Sequence, residues 1–197
     1  MGISAEQILI YLVIVMSAVF HEYAHAWTAM SLGDPTAKNA GRLTLNPIAH
    51  LDPFGTVLLP LILMATGGAF IGYAKPVPVN PYNLDDQNYG PVKVSAAGPI
   101  SNFLIAIVFS VILRTVSLTD AWSQAIGIVI YINLILGLFN LIPIPPLDGS
   151  KILRRFSSID LSFGNNPIGM ILALVIAFTI LPNLAGLLYQ VLVGFGI

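Results

Sequence analysis

His21-Glu22-Tyr23-Ala24-His25 lies inside the apolar stretch 6–31. On a helix, residues i and i+4 share a face, so the two imidazoles can ligate one Zn²⁺. Glu22, about 100° round the helix, then reaches a water that the metal activates and serves as its general base. The pattern H-E-x-x-H alone is common, and a histidine in an apolar stretch is ordinarily a hydrogen-bonded structural residue. The surroundings decide the reading. Polar ionisable groups at the centre of a bilayer cost up to about 2.5–3.5 kcal/mol each, and an ion that ligates and neutralises them removes that cost.

Composition carries the argument outward from the motif. The chain of 197 residues is 56% apolar and 9% charged, with a mean hydropathy of +0.87. So few charges cannot cover a water-soluble globule of this size, which makes it an integral membrane protein resting in a lipid bilayer. A net charge of −1 with eight Lys and Arg leaves no basic surface for nucleic acid. There is no cysteine, so disulfides and thiolate metal sites are excluded and His and carboxylate remain as zinc ligands. Met1 to Glu6 contains no Lys or Arg, and the first apolar stretch is read as a retained span rather than a signal peptide. The expected organisation is one membrane-embedded domain over 1–197, with a core at 6–155 and no soluble appendage, repeat or low-complexity tail.

A catalytic zinc commonly takes three protein ligands and a water. The candidates for the third are His50, Asp52 and Asp148. Asp148 follows the run Asn140-Leu141-Ile142-Pro143-Ile144-Pro145-Pro146-Leu147, whose prolines remove backbone donors and unwind the helix end. Irregular backbone at membrane depth is tolerated where protein or a water-filled cavity surrounds it, so this break points to a polar site. The alternative for Asp148 is a plain N-cap of a following helix at 150–157. His50 stands as an alternative ligand, a gate residue or an interfacial loop histidine. Asn140, within the unwound segment, is an auxiliary hydrogen-bond donor to the reacting group or a cap for broken-helix backbone. Asn102 is read as a packing or backbone-satisfying residue.

Four segments are long enough to cross about 30 Å of hydrocarbon: roughly 6–31, 92–117, 122–143 and 166–195. The last is longer than one crossing needs, and Pro182 and Gly186 suggest a kink or break within it. A fifth run, 54–72, is interrupted by Pro60 and Gly67-Gly68. If it crosses the membrane, the His21–His25 end and Asp148 finish on opposite sides. If it enters and leaves by one face, they meet. The re-entrant reading also collects Lys38, Arg42, Lys75, Lys93, Lys151, Arg154 and Arg155 on one side and leaves Arg114 on the other. By the positive-inside rule the first side is the cytoplasm, the N-terminus is outside, and the active site opens toward the cytoplasmic face. The polar, Pro-rich stretch 73–90 and residues 39–45 are open between plain connectors and a short interfacial β-hairpin, whose edge would suit capture of an extended peptide. The expected fold is thus an all-α polytopic membrane protein with about four to six transmembrane helices and a re-entrant segment.

His21 to His25, Ala97-Gly98-Pro99-Ile100-Ser101-Asn102, and Asn140 to Gly149 with its Leu-Asp-Gly element together resemble the site-2 protease family of intramembrane zinc metalloproteases. Gly41 to Pro53 is similar to a compact prokaryotic branch of that family. The resemblance implies one Zn²⁺ bound by His21, His25 and Asp148, Glu22 as the catalytic carboxylate, single-span transmembrane proteins as substrates, and a prokaryotic cell membrane as the location. Two departures from the larger family members are expected: no extra span before the zinc helix, and no PDZ-like or CBS-like module. The competing readings are a catalytically silent membrane protein that holds clients and a metal transporter. Glu22 argues against the first, because a structural zinc site needs no base there. Convergence of the ligands at one depth, with no internal repeat, argues against the second.

Overall fold

The computed structural model describes residues 4–66, 74–157 and 167–194. Among them there is no strand, and the elements are α1 (Ala5–Ser31), α2 (Thr36–Asn39), α3 (Leu59–Thr66), α4 (Gly90–Thr115), α5 (Asp120–Asn140), α6 (Asp148–Phe156), α7 (Pro167–Thr179) and α8 (Leu181–Val193). Three of these, α1, α4 and α5, are long and apolar enough to cross a membrane.

The polarity of α1 is inverted relative to a helix of a soluble protein. Ser17, His21 and His25 are buried with Val19, Ala26 and Ala29, while Ile8, Leu12, Met16, Phe20 and Trp27 are exposed. Large apolar side chains turned outward along several turns require a lipid surround rather than water. A capping box between Ser4 and Gln7 starts the helix. At its other end the Asp34 and Gly33 amides close back on the Ala29 and Met30 carbonyls.

Helix α4 is the centre of the bundle and packs on α1, α5, α6 and α8. Its core with α5 and α8 is built from Ala106, Ile130, Leu134, Ala185 and Val193. The small side chain of Ala106 lets the helices approach closely, which is how helices associate where lipid supplies no hydrophobic drive. The segment expected as one long span at 166–195 is two helices, α7 and α8, parted at Ile180 with Pro182 in the first turn of α8. Proline is tolerated there because that amide has no intrahelical acceptor.

The 54–72 stretch begins as a π-helical turn over Pro53–Leu58, capped by the Asp52 carboxylate on the Phe54 and Gly55 amides, and continues as α3. Gly67 and Gly68 lie outside the described residues. Residues 74–80 form neither helix nor strand, and 74–90 hold no hairpin, so the described part of 73–90 fits the connector reading better. Pro76 and Pro78 lack the amides a ladder needs. Three of the amides that remain are taken by other parts of the chain: Lys75 N–H by the His50 carbonyl at 3.0 Å, Val77 N–H by Glu22 Oε2 at 2.7 Å, and Asn80 N–H by Asp34 Oδ2 at 2.7 Å.

Candidate metal centre

His21 and His25 lie one turn apart on α1, and Asp148 opens α6. Two close approaches bring them together. Gly98 on α4 faces the imidazoles, where an added Cβ would fall 2.5 Å from His21 Cε1, His21 Nε2 and His25 Nε2. Gly149 does the same for the other side, since its Cβ would lie 2.2 Å from the Leu141 carbonyl oxygen. That contact folds the start of α6 back onto the end of α5, and buried Ile142 and Ile144 anchor the intervening turns against Leu181. Asp148 is not the helix cap; Leu147 is, and the buried carboxylate points to the histidines.

The result is a near-equilateral triangle of His21 Nε2, His25 Nε2 and Asp148 Oδ2, with edges of 3.0, 3.0 and 3.2 Å. The outer nitrogens define what the inner atoms are. His21 Nδ1–H donates to Asn102 Oδ1 at 2.7 Å, and His25 Nδ1–H donates to the Val94 carbonyl at 2.6 Å. Neutral imidazoles protonated at Nδ1 present lone pairs at Nε2. Two lone pairs and a carboxylate oxygen at these separations repel one another unless a proton or a cation stands among them. The triangle's centre is about 1.8 Å from each atom, so an ion slightly off that plane meets all three at the usual zinc distances of about 2.0–2.2 Å. The donor set of two imidazoles and one carboxylate suits zinc and leaves a coordination position open.

Asp148 is ready for this role. The Lys151 ammonium, 3.0 Å from Oδ1, favours its charged form against the cost of burial. Glu22 lines the same cavity of about 840 Å³, which runs along α1 from Tyr11 to His25 and reaches Asn140, Asp148, Lys151 and Arg154. One oxygen of Glu22 is fixed by the Val77 amide. Asn140 also lines the cavity and gives one amide hydrogen to the Leu136 carbonyl at 3.0 Å. His50 is buried on the cavity wall but is not part of the ligand cluster. Its Nε2–H donates to the Thr44 carbonyl at 2.8 Å, and its own carbonyl receives Lys75. Asp52 is engaged as the cap described above.

A family model for "Peptidase family M50" matches residues 9–120 and 115–182, nearly the whole chain. The chain belongs to peptidase family M50. The resemblance to site-2 proteases read from the sequence is met, and the chain is a metalloprotease by family. It is 43% identical over 155 residues to the protein named "Putative zinc metalloprotease YwhC" of Bacillus subtilis, covering 73% of this chain and 68% of that one. It is 32% identical over 144 residues to "Putative zinc metalloprotease Rip2" of Mycolicibacterium smegmatis, covering 68% of this chain and 52% of the relative. With "Zinc metalloprotease MJ0392" of Methanocaldococcus jannaschii it shares 24% identity over 150 residues, 76% of this chain and 34% of that one. The chain thus spans about two thirds of the Bacillus relative and about half or less of the others. No solved structure matches.

Within this M50 fold the sequence reading underestimated Asn102. Its amide links the His21 ring to Asn133 Oδ1 at 2.9 Å, and Asn133 in turn donates to Ser17 Oγ and the Val129 carbonyl, each at 2.9 Å. This chain of neutral polar groups ties α1, α4 and α5 together and fixes which His21 nitrogen faces the cavity. Neutral amides in apolar helices carry no spacing signature, and the only available clue was that Asn102 and Asn133 lie in spans otherwise poor in polar groups.

Proposed function

We propose that this chain is an intramembrane zinc protease that hydrolyses peptide bonds of single-span membrane proteins, with zinc held by His21, His25 and Asp148. The observation that carries the reading is the Nε2, Nε2, Oδ2 triangle with edges of 3.0–3.2 Å, opening on a cavity that Glu22 also lines. Zinc, when bound, supplies Lewis acidity, acidifying water toward a pKa of about 7 and polarising the scissile carbonyl.

The remaining chemistry belongs to side chains. Glu22, held through Oε2 by the Val77 amide, takes the proton from the attacking water at its other oxygen and delivers it to the leaving amine. Asn140 offers its second amide hydrogen to the developing oxyanion. The cavity follows α1 for about 16 Å from Tyr11 to Glu22, a length that suits several residues of unwound substrate. Its wall is largely apolar, including Ile14, Val15, Ala18 and Val19, which fits a segment drawn from a membrane span.

The location is a prokaryotic cell membrane, with the N-terminus outside and the site toward the cytoplasm. The basic residues collected on one side and the His50 to Lys75 backbone contact, which brings both ends of the 51–74 excursion together, support this. The test is Glu22→Gln in a cell-free assay with a single-span substrate. The variant is expected to keep its fold and zinc and to lose nearly all cleavage, whereas robust cleavage would mean that another group activates the water. Loss of zinc along with activity would make Glu22 part of the metal site.

A further inference from the structure

Lys151 stands one turn beyond Asp148 on α6, and its Nζ donates to Asp148 Oδ1 at 3.0 Å. The other oxygen, Oδ2, is the one that meets both imidazoles. The two oxygens of one carboxylate are therefore divided between a lysine and the histidine pair. For metal affinity alone this is the wrong arrangement, because an ammonium beside the ligand repels the cation that the ligand is to hold. The lysine must contribute something other than affinity.

We propose that Lys151 is a positioning residue that holds Asp148 as a one-oxygen metal ligand and so keeps the fourth coordination position open. This rests on the metal reading given above. Carboxylates bind metals through one oxygen or through two, and the choice is made by what else engages the second oxygen. A zinc with two imidazoles and a single carboxylate oxygen has room for water; a second oxygen from Asp148 fills that room. Backbone geometry does not make the choice, since rotation about the last side-chain bond of Asp148 exchanges the two oxygens' roles. Among the described residues, Lys151 is the donor found on Oδ1. Its placement is reproducible because Gly149, packed on the Leu141 carbonyl, fixes the first turn of α6, and position 151 then returns to the face of position 148. The Lys151 side chain is 56% exposed, so the ion pair adds little stability and its effect is geometric.

The test uses the full chain in detergent, loaded with Co²⁺ in place of zinc, whose visible d–d bands weaken as coordination number rises above four. Lys151→Met keeps the stem and removes the donor, and Lys151→Arg keeps a donor. Lys151→Met is expected to bind Co²⁺ no more weakly than the wild type, to lose band intensity, and in the zinc form to cleave about 10–100-fold more slowly. Lys151→Arg is expected to restore both band intensity and cleavage. Unchanged band intensity in Lys151→Met overturns the proposal, whatever happens to activity. A wild type that takes up no Co²⁺ removes the metal reading on which the proposal depends.

Discussion

At the scale of single residues, the site depends on what surrounds the ligands as much as on the ligands. Asn102 accepts from His21 Nδ1 and thereby turns the Nε2 lone pair toward the cavity. Asn102→Ala is expected to weaken zinc binding by about 10–100-fold in a chelator competition, the usual cost of losing such a partner. Asn133→Ala leaves the His21 to Asn102 contact in place and is expected to cost less. Equal losses for both would mean that the polar chain supports the bundle as a whole rather than the His21 ring. The proposed ligands could be picked out in the sequence because His, Glu and Asp are rare in apolar spans and their spacing has chemical meaning. Asn102, Asn133 and Ser17 could not be assigned in this way, since their partners lie 31 to 116 residues away and a neutral amide is equally at home in packing. Lys151 went unnoticed for a related reason: on sequence alone it is one of seven basic residues that report on orientation.

At the scale of elements, length and hydropathy were sufficient for the spanning helices. The expected 6–31, 92–117 and 122–143 correspond to Ala5–Ser31, Gly90–Thr115 and Asp120–Asn140. The segment at 74–85 was not legible because its conformation comes from distant groups rather than local pattern. Asp34, fully buried just past the end of α1, gathers the Asn80 amide, the Asn83 side chain and both the amide and hydroxyl of Thr36. Asp34 thus anchors the far end of the stretch that holds Glu22 through Val77. Burial by itself pushes the Asp34 carboxyl up, but these hydrogen bonds outweigh it and hold it below the usual range. A folded value below the unfolded one of about 3.9 means that its stabilisation is complete above the unfolded pKa and is lost as pH falls through the folded one. The detergent-solubilised protein is therefore expected to melt at lower temperature as pH drops below about 4. Asp34→Asn should melt lower than wild type at neutral pH and show a shallower acid decline. A parallel decline in both proteins, followed by tryptophan fluorescence, would show that Asp34 does not supply this dependence.

At the scale of the whole molecule, the question is how a chain with a ligand pair on α1 and a third ligand after α5 closes one site within a bilayer. If α4 and α5 each cross, they return the chain to the face it left, and the proposed site then requires 51–74, which lies between α1 and α4, to begin and end on one face. Three contacts bear on this: the Lys75 amide meets the His50 carbonyl at 3.0 Å, Arg42 reaches the Lys75 carbonyl, and the Tyr11 hydroxyl donates to the Thr56 carbonyl about 15 Å along α1 from His21. Those contacts hold residues 50 and 75 side by side and set the described turn at Thr56 beside α1. The sequence suggested this topology through proline, glycine and charge asymmetry, but the closing contact involves backbone groups that no composition reveals. Single cysteines test it well in a chain that has none of its own. Ile48 and Tyr82 flank the excursion, are both highly exposed, and can be replaced without touching the caps at Asp52 or Asn80. In inverted and right-side-out vesicles, Ile48→Cys and Tyr82→Cys are both expected to react with a membrane-impermeant maleimide from the cytoplasmic side. Labelling of the two from opposite sides would make 51–74 a full crossing, and Asp148 could then no longer share a face with His21 and His25.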